Sequence, residues 1–417
     1  MASILILSEK GSGVPLGYRF AYEGHIAKIY FKKDQGSLLD GVKNPSKIRR
    51  YDTMLDQYDL VLADSSGMGD LCEELRQKGK IVIGGGTFND KLELDRTYGE
   101  KVARSVLEVD VPETEECTTT EDLLKCLREA GGPMVVKPHD NKSTCLTLVS
   151  GDKANRTLLS LAENVKDLCP CIVQPKVEGI EISSEGWFDG KKFTSFNHTI
   201  EQKRLMEKDK GPQTGCMGNV VWACGEDKLI KAAILPLAPL LEKVKFMGPI
   251  DVNCIISEKK ATFLEFTPRF GYDAIFAYTE VLKGGLFDFL YKFATGRGGD
   301  KPYNYYGISV RMSLPPYPFK DGLKNLEGVQ SIDVPEPAKN HIWYWDVMQK
   351  NGTPVCAGVD GIICSVSARG VDVHEARRRA YRTVNSIGIH PDLQWRSDIG
   401  SEVERQIKDL KEWGWLA

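Results

Sequence analysis

Short apolar runs separated by polar, glycine-bearing turns fill the first hundred residues: Ile4–Leu7, Ile26–Phe31, Leu60–Ala63 and Ile81–Ile83. Each has the length of a buried strand and is too short for a helix. Helix-like segments such as Asp70–Lys78 lie between them. Strand–helix alternation with Gly-rich turns predicts a parallel α/β sheet. The turn after the first run, Ser8–Gly17, holds Gly11, Gly13 and Gly17 but lacks the GxGxxG spacing. It reads either as a flexible turn or as a phosphate or substrate loop at the strand's C-terminal edge.

The texture changes near Val111-Pro112. A polar stretch leads into a short helix at Glu121–Glu129, closed by Gly131-Gly132-Pro133. Strands are expected at Met134–Lys137, Cys145–Val149 and Cys171–Lys176. Ile182–Phe188 and Lys192–Asn197 flank Asp189-Gly190, a strong hairpin signal. Glu226–Phe246 has one apolar face (Leu229, Ala233, Leu237, Leu241, Val244) and predicts a long helix kinked at Pro236 and Pro239. Strands at Ile250–Ile256 and Ala261–Thr267 flank the polar turn Ser257–Lys260. After the glycine-rich link Gly296–Gly299 come strands near Gly307–Leu314, His341–Val347 and Gly361–Ser367. A final amphipathic helix, His374–Ile387, has Asp372 as its N-cap.

Composition narrows the class. The 417 residues suggest two to four domains at roughly 100–200 residues each. Apolar content of 41% and charged content of 27% exclude global disorder. Fifty-five Lys and Arg against 58 Asp and Glu give −3, which lacks the bulk positive field of a general nucleic-acid binder. No apolar stretch reaches membrane-spanning length, and the N-terminus reads as a strand rather than a secretory signal. Eleven scattered cysteines without a CxxC pair favour a reduced, cytoplasmic protein. Cys169 and Cys171 are only a weak metal signal.

The chemistry-bearing residues are concentrated in three places. Asp251 and Asn253 share one strand face, as do Glu265 and Thr267 on the next strand, with Arg269 and Gly271 close behind. A three-residue loop at Ser257–Lys259 would put both pairs on the same face of the sheet, whereas a two-residue turn would not. Carboxylates with added side-chain oxygens suit Mg²⁺ bridging nucleotide phosphates; surface acids on an exposed sheet are the bland alternative. Second, Gln202-Lys203-Arg204 and Lys208–Gly218 form a cation-rich segment with three glycines and a proline, expected to be a structured loop suited to phosphate or simply a solvated one. Third, Lys137 leaves an apolar strand where it could hold phosphates, and Glu181 follows another strand where it could accept hydrogen bonds from ribose hydroxyls.

In this order the pieces resemble the ATP-grasp superfamily and, within it, the phosphoribosylamine–glycine ligases. Lys203-Arg204 followed by Lys208-Asp209-Lys210-Gly211-Pro212-Gln213-Thr214-Gly215-Cys216-Met217-Gly218 is similar to the family's Lys-Arg and Lys-Asp-x-Gly-Pro-Asn-Thr-Gly-Gly-Met-Gly. Glu265-Phe266-Thr267-Pro268-Arg269-Phe270-Gly271 resembles its Glu-Phe-Asn-x-Arg-Phe-Gly. Ala376–Tyr381 and Arg396–Gly400 extend the resemblance to nearly the whole chain.

The resemblance implies an α/β fold, α+β in the ATP-binding part. Residues 1–108 would form an N-terminal parallel α/β domain. Residues 109–304 would form the ATP-grasp domain, in subdomains of about 109–185 and 186–304, and residues 305–417 a β-rich C-terminal domain. It further implies ATP and Mg²⁺, with Mn²⁺ as an alternative, and an acyl-phosphate route joining an amino acid to a phosphorylated amine. Arg96, Lys137, Lys142, Gln174, Val177 and Glu181 would hold the nucleotide, and Asp251, Glu265 and Thr267 the metal. Lys203, Arg204 and Arg269 would act on the transferring group, with Lys210, Gly211, Pro212, Thr214, Gly215, Met217 and Gly218 at the substrate. Neither nucleic acid nor a membrane is implied as partner, and the chain would be a monomer or homodimer.

Several positions depart from the family pattern. Thr267 replaces an Asn, Arg96 a Lys, and Pro138–Thr144 holds no glycine where a Gly-rich lid is usual. Glu9–Gly13 stands in place of Gly-Gly-Arg-Glu-His, and Gly271–Ala274 in place of Gly-Asp-Pro-Glu. A ligase with a different amine or acid, or a nucleotide-binding homologue without catalysis, are therefore the alternatives.

Overall fold

The computed structural model describes residues 1–130, 132–138, 168–297, 301–329, 332–389 and 391–417. The strand expected at Cys145–Val149, Lys142, and Pro138–Thr144 beyond Pro138 lie outside the described residues.

The N-terminal apolar runs form strands β1 (Ser3–Ser8), β2 (Ile26–Phe31), β4 (Leu60–Ala63) and β5 (Val82–Ile83), with the short β3 (Ser46–Ile48) at one edge. They make a parallel five-stranded sheet in the order β3-β2-β1-β4-β5. Ile4 to Leu7 are all buried because helices cover both sheet faces, which is why this strand is continuously apolar rather than alternating. Helix Val14–Tyr22 starts at Pro15, and helix Gly69–Gln77 lies within one residue of its expected bounds.

A smaller antiparallel sheet, β6-β8-β7, contains β6 (Glu115–Cys117), β7 (Met134–Pro138) and β8 (Cys171–Pro175). Helix Thr120–Glu129 packs beside it. Thr119 Oγ1 accepts from Asp122 N while the Asp122 carboxylate accepts from Thr119 N, a reciprocal cap at the helix start.

The largest element is an eight-stranded antiparallel sheet. Its members are β9 (Ile180–Phe188), β10 (Phe193–Met206), β11 (Lys210–Cys224), β12 (Gly248–Ile256), β13 (Ala261–Thr267) and β14 (Tyr306–Ser313). Further on come β15 (Ile332–Asp333), β16 (Ile342–Tyr344), β17 (Val347–Lys350), β18 (Thr353–Cys356), β19 (Ile362–Gly370) and β20 (Gly388–Ile389). Strand order in the large sheet is β13-β12-β9-β10-β11-β14-β19-β16; β15 pairs with β20 and β17 with β18 in two small sheets. The large sheet therefore runs without a break from residue 180 into the C-terminal part of the chain.

The hairpin between β9 and β10 turns over Asp189–Lys192, where Asp189 Oδ1 accepts from the backbone N–H of Lys191 and Lys192. The long helix expected at Glu226–Phe246 is three pieces: Lys228–Ala233, a single 3₁₀ turn Leu235–Leu237, and Ala238–Lys243. Pro236 and Pro239 each open a new piece, since neither can donate to the preceding turn. The apolar face itself is as expected, with Leu229, Leu237 and Leu241 fully buried. Helix Val373–Ser386 is capped by Asp372, whose carboxylate accepts from Glu375 N at 2.7 Å.

Helix Ala274–Val281 lies so close to β14 that a Cβ on Gly307 would sit 2.0 Å from the carbonyl oxygen of Ala277. Gly307→Val should therefore lower the melting temperature, at a cost of about 1–3 kcal/mol or more for overpacking. Gly225→Ala, in open space, is the control and should melt as wild type. Equal melting temperatures for all three proteins would contradict this packing.

Candidate active site

The register of the large sheet aligns its polar residues in rows. Thr267, Asp251, Glu185 and Asn197 lie directly across from one another on β13, β12, β9 and β10. The next row holds Glu265, Asn253, Ser183 and Thr199. Directly paired residues point to one face, so both acidic pairs share it. The turn that achieves this is neither of the two expected lengths. Ile256 pairs with Ala261 across a four-residue turn, which alone would place Glu265 opposite Val252 on the wrong face. A bulge at Leu264 absorbs one residue and restores the alignment.

Lys203 is the electrostatic centre. Its Nζ donates to Glu181 Oε1 at 2.7 Å and lies 3.6 Å from Glu201 and 3.7 Å from Glu265. Burial opposes its charge, but the three carboxylates outweigh burial and hold the ammonium well above its ordinary range. Asn253 Nδ2 also donates to Glu181 Oε1, at 3.0 Å. Burial likewise pushes the Glu265 carboxyl up, and Lys203, Arg96, Lys137 and Arg269 together bring it below the usual carboxylate range. Arg96 is 3.9 Å from it. The Glu265 side chain remains 43% exposed, so solvent screens part of this attraction.

Deeper in the sheet the balance reverses. Burial, then Glu185 and Glu201, raises the Asp251 carboxyl well above its ordinary range, and burial pushes Glu185 up to about 7. Asp251 Oδ1, Asn253 Oδ1 and Thr199 Oγ1 are buried without a hydrogen-bond partner among the described residues. Buried oxygen acceptors left unpaired beside carboxylates are the donor set of a hard cation site.

This charged face opens into a cavity of about 400 Å³. Arg96 opens helix Arg96–Val106, whose cap is Asp95 accepting from Tyr98 N at 2.9 Å, and reaches the cavity from the N-terminal side. Val135 and Lys137 line it from β7, Gln174–Val177 from the end of β8, and Glu181, Lys203, Arg204 and Glu265 from the large sheet. The Gln174 side chain turns inward, donating to Glu100 Oε1 at 2.6 Å and Thr114 Oγ1 at 2.9 Å.

Other expected site residues lie elsewhere. Asp251 and Thr267 do not border the cavity, although they share its sheet face. Arg269 is held in a forked ion pair by Glu93, at 2.7 and 3.1 Å, with its guanidinium 4.1 Å from the Tyr272 ring centre. Lys208–Gly218 is not a loop. It is a three-residue tip, Glu207–Asp209, followed by β11, because bulges in β11 opposite Gln202–Met206 take up the extra residues and let the glycines and Pro212 stay within the ladder. Lys210, Gly211, Pro212, Thr214, Gly215, Met217 and Gly218 do not border the cavity; Lys210 is exposed and Met217 fully buried. Arg204 Nη1 donates to Gly211 O, and Thr214 Oγ1 donates to Lys203 O, so the strand braces the lysine.

Residues that motif reading passed over hold this frame. Glu185 and Glu201 supply carboxylates from neighbouring strands, signalled in sequence only by the polar alternation Ser183–Glu185 and Thr199–Glu201, and Glu93 reaches Arg269 from helix Thr87–Leu94 with no such signal. Arg396 bonds Asp398, Asp209 and the carbonyl of Arg204, locking the hairpin tip to the C-terminal segment. The Sγ atoms of Cys169 and Cys171 are 3.8 Å apart and no metal-sized group includes them; among the described residues the one such group is His198, Cys224 and Asp227. Both ring nitrogens of His198 are already bonded, to Ser184 and Asp227. No helix among the described residues is long and apolar enough to cross a membrane.

The fold is shared with solved structures that align over nearly the whole chain. N5-carboxyaminoimidazole ribonucleotide synthetase aligns with a TM-score of 0.58 at 13% identity, covering 92% of this chain and 96% of that one. The phosphoribosylamine–glycine ligase of Thermotoga maritima aligns at 0.71 and 20% identity, covering 95% of this chain and all of that one. Residues 97–274 match the family model of the phosphoribosylglycinamide synthetase ATP-grasp (A) domain. In sequence, the chain is 24% identical to phosphoribosylamine–glycine ligase of Helicobacter pylori over 99% of this chain and 98% of the relative. It is 25% identical to that of Streptomyces coelicolor over 80% of each.

Removing Lys203 leaves Glu181, Glu201 and Glu265 clustered without their counter-ion. In Lys203→Met their folded-state pKa values rise above the unfolded ones, so stability is present at low pH and is lost as pH rises through the raised values. The variant should melt several degrees lower at pH 8 than at pH 5. In wild type the contribution of the depressed Glu265 is already complete at pH 5, so over this range only the raised Glu185, Asp251 and Glu201 cost stability and the loss should be the shallower one. Parallel pH profiles for the two proteins would contradict the cluster.

Proposed function

We propose that the chain is an ATP-dependent carboxylate–amine ligase joining glycine to 5-phosphoribosylamine, with release of ADP and phosphate. The observation that carries this reading is the convergence of Arg96, Lys137, Lys203 and Glu265 on one cavity, in a chain whose relatives are named phosphoribosylamine–glycine ligases.

Arg96 and Lys137 bind the phosphates of ATP, with Val135, Val177, Ile255 and Leu264 as the apolar walls for its base. Glu181 accepts from the ribose hydroxyls. Glu265, with Asp251, Asn253 and Thr267 on the same face, holds Mg²⁺, which neutralises charge between the phosphates when bound. The depressed Glu265 carboxyl is suited to a cation, and the raised Asp251 carboxyl would be drawn towards its ionised form beside one. In the reaction, a glycine carboxylate oxygen attacks the γ-phosphorus and ADP leaves. The amine then attacks the acyl carbon, and phosphate leaves with the carbonyl restored. The side chains act by positioning and charge neutralisation, and none has to serve as a nucleophile. Residues 109–304 hold most of the nucleotide in this reading, with Arg96 contributed by 1–108 and Gln406 by 305–417.

A different amine is the second reading. The turn after β1 carries Glu9 paired to Lys33 at 2.7 Å and Ser8 hydrogen-bonded to buried Asp64, in place of the Gly-Gly-Arg-Glu-His of the pattern that the sequence resembles.

ADP release with Mg²⁺-ATP should require glycine and freshly generated phosphoribosylamine together. Glu265→Gln should lower kcat about 100-fold or more while the protein remains folded. ADP formed only with another amine would select the second reading. No ADP with any pair, despite ATP binding, would overturn both.

A further inference from the structure

A second cavity, of about 920 Å³, shares no lining residue with the first. It lies between helix Val14–Tyr22, the end of helix Ala274–Val281 and helix Val373–Ser386. Arg19, Arg369, Arg378, Arg379, Arg382 and His341 line it, against two carboxylates, Glu23 and Glu280. Five arginines against two acids leave an excess of three positive charges, in a chain whose net charge is −3.

Both acids are already engaged. Glu23 accepts from Leu286 N at 2.8 Å and Phe287 N at 3.0 Å, capping helix Leu286–Ala294. Glu280 accepts from Ser367 Oγ at 2.6 Å and pairs with His341 Nδ1 at 2.8 Å. Two of the arginines are positioned by neutral groups: Arg19 Nη2 donates to Asn340 O, and Arg369 Nη1 to Glu280 O. Arg378, Arg379 and Arg382 lie on adjacent turns of one helix with the hydroxyls of Thr383 and Ser386 beside them. Arg378 and Arg379 share the single carboxylate Glu375, at 3.6 and 2.7 Å. The Arg382 side chain, on the same helix, has no hydrogen bond or ion pair among the described residues. Like charges so placed repel each other, and a shared anion relieves them.

We infer that this cavity is a second binding site, for a small multiply phosphorylated anion. Planar guanidinium forks match phosphate oxygens pairwise, and several converging forks favour a ligand carrying more than one phosphate. The site is independent of the ligase reaction proposed above, and its occupant would touch all three parts of the chain at once.

The test is calorimetric titration of tripolyphosphate, with Mg²⁺ in excess, into the full chain after its ATP cavity has been saturated with a non-hydrolysable ATP analogue. One further site per chain is expected, weakening as salt rises. Arg378→Ala/Arg382→Ala should weaken it about tenfold or more, the loss of charge-assisted contacts. Affinity for the ATP analogue and the melting temperature should be unchanged. Absence of a second binding event, or equal binding by wild type and variant, would overturn the inference. So would a variant that lowers the sedimentation mass while tripolyphosphate binding persists, because the arginine face would then be a contact between copies of the chain.

Discussion

One buried ammonium sets the terms for the rest of the site. Lys203 stands among Glu181, Glu201 and Glu265, which arrive from three strands of the large sheet. Three carboxylates this close cannot all stay ionised without a counter-charge at their centre. With it, Glu265 is held ionised below the usual carboxylate range, while Asp251 and Glu185, further from the lysine, are pushed up by burial. Proton affinity thus differs from carboxyl to carboxyl across one sheet face, and burial raises Glu201 as well although it lies 3.6 Å from the lysine. Arg96 from the N-terminal side and Lys137 from the small sheet meet that face at Glu265, so cations from separate parts of the chain converge on one carboxylate.

Much of the fold is legible in the pattern of apolar positions. Strands β1, β2, β4, β9, β12 and β13 follow continuous or alternating runs, because period and burial are local properties. The break at Glu226–Phe246 is less legible: the apolar stripe reads as one helix, and two prolines three apart cut it into three. The β10–β11 hairpin is misread for the opposite reason. Glycines and a proline suggest a loop, yet bulges absorb them, and Arg396 and Asp398, some 190 residues away in sequence, hold its tip.

The site divides along the same line. Lys137, Glu181, Lys203 and Glu265 announce themselves by position at strand ends or in a motif. Whether Asp251 and Glu265 face the same way depends on how the chain spends residues between them, and the answer lies in the extra residue Leu264, which no periodicity reveals. Glu185 and Glu201 join the site only through strand pairing, and Glu93 only because its helix packs its carboxylate against Arg269. Arg269 shows the converse: its motif is plain, but Glu93 fixes where its guanidinium points.

The most direct test of the ligase account follows an oxygen atom. Glycine labelled with ¹⁸O in its carboxylate, incubated with Mg²⁺-ATP and phosphoribosylamine, should transfer one labelled oxygen per turnover to the released phosphate, because acyl-phosphate formation and aminolysis move that atom. Inorganic phosphate free of the label, or labelled only from solvent water, would contradict the mechanism assigned to this cavity.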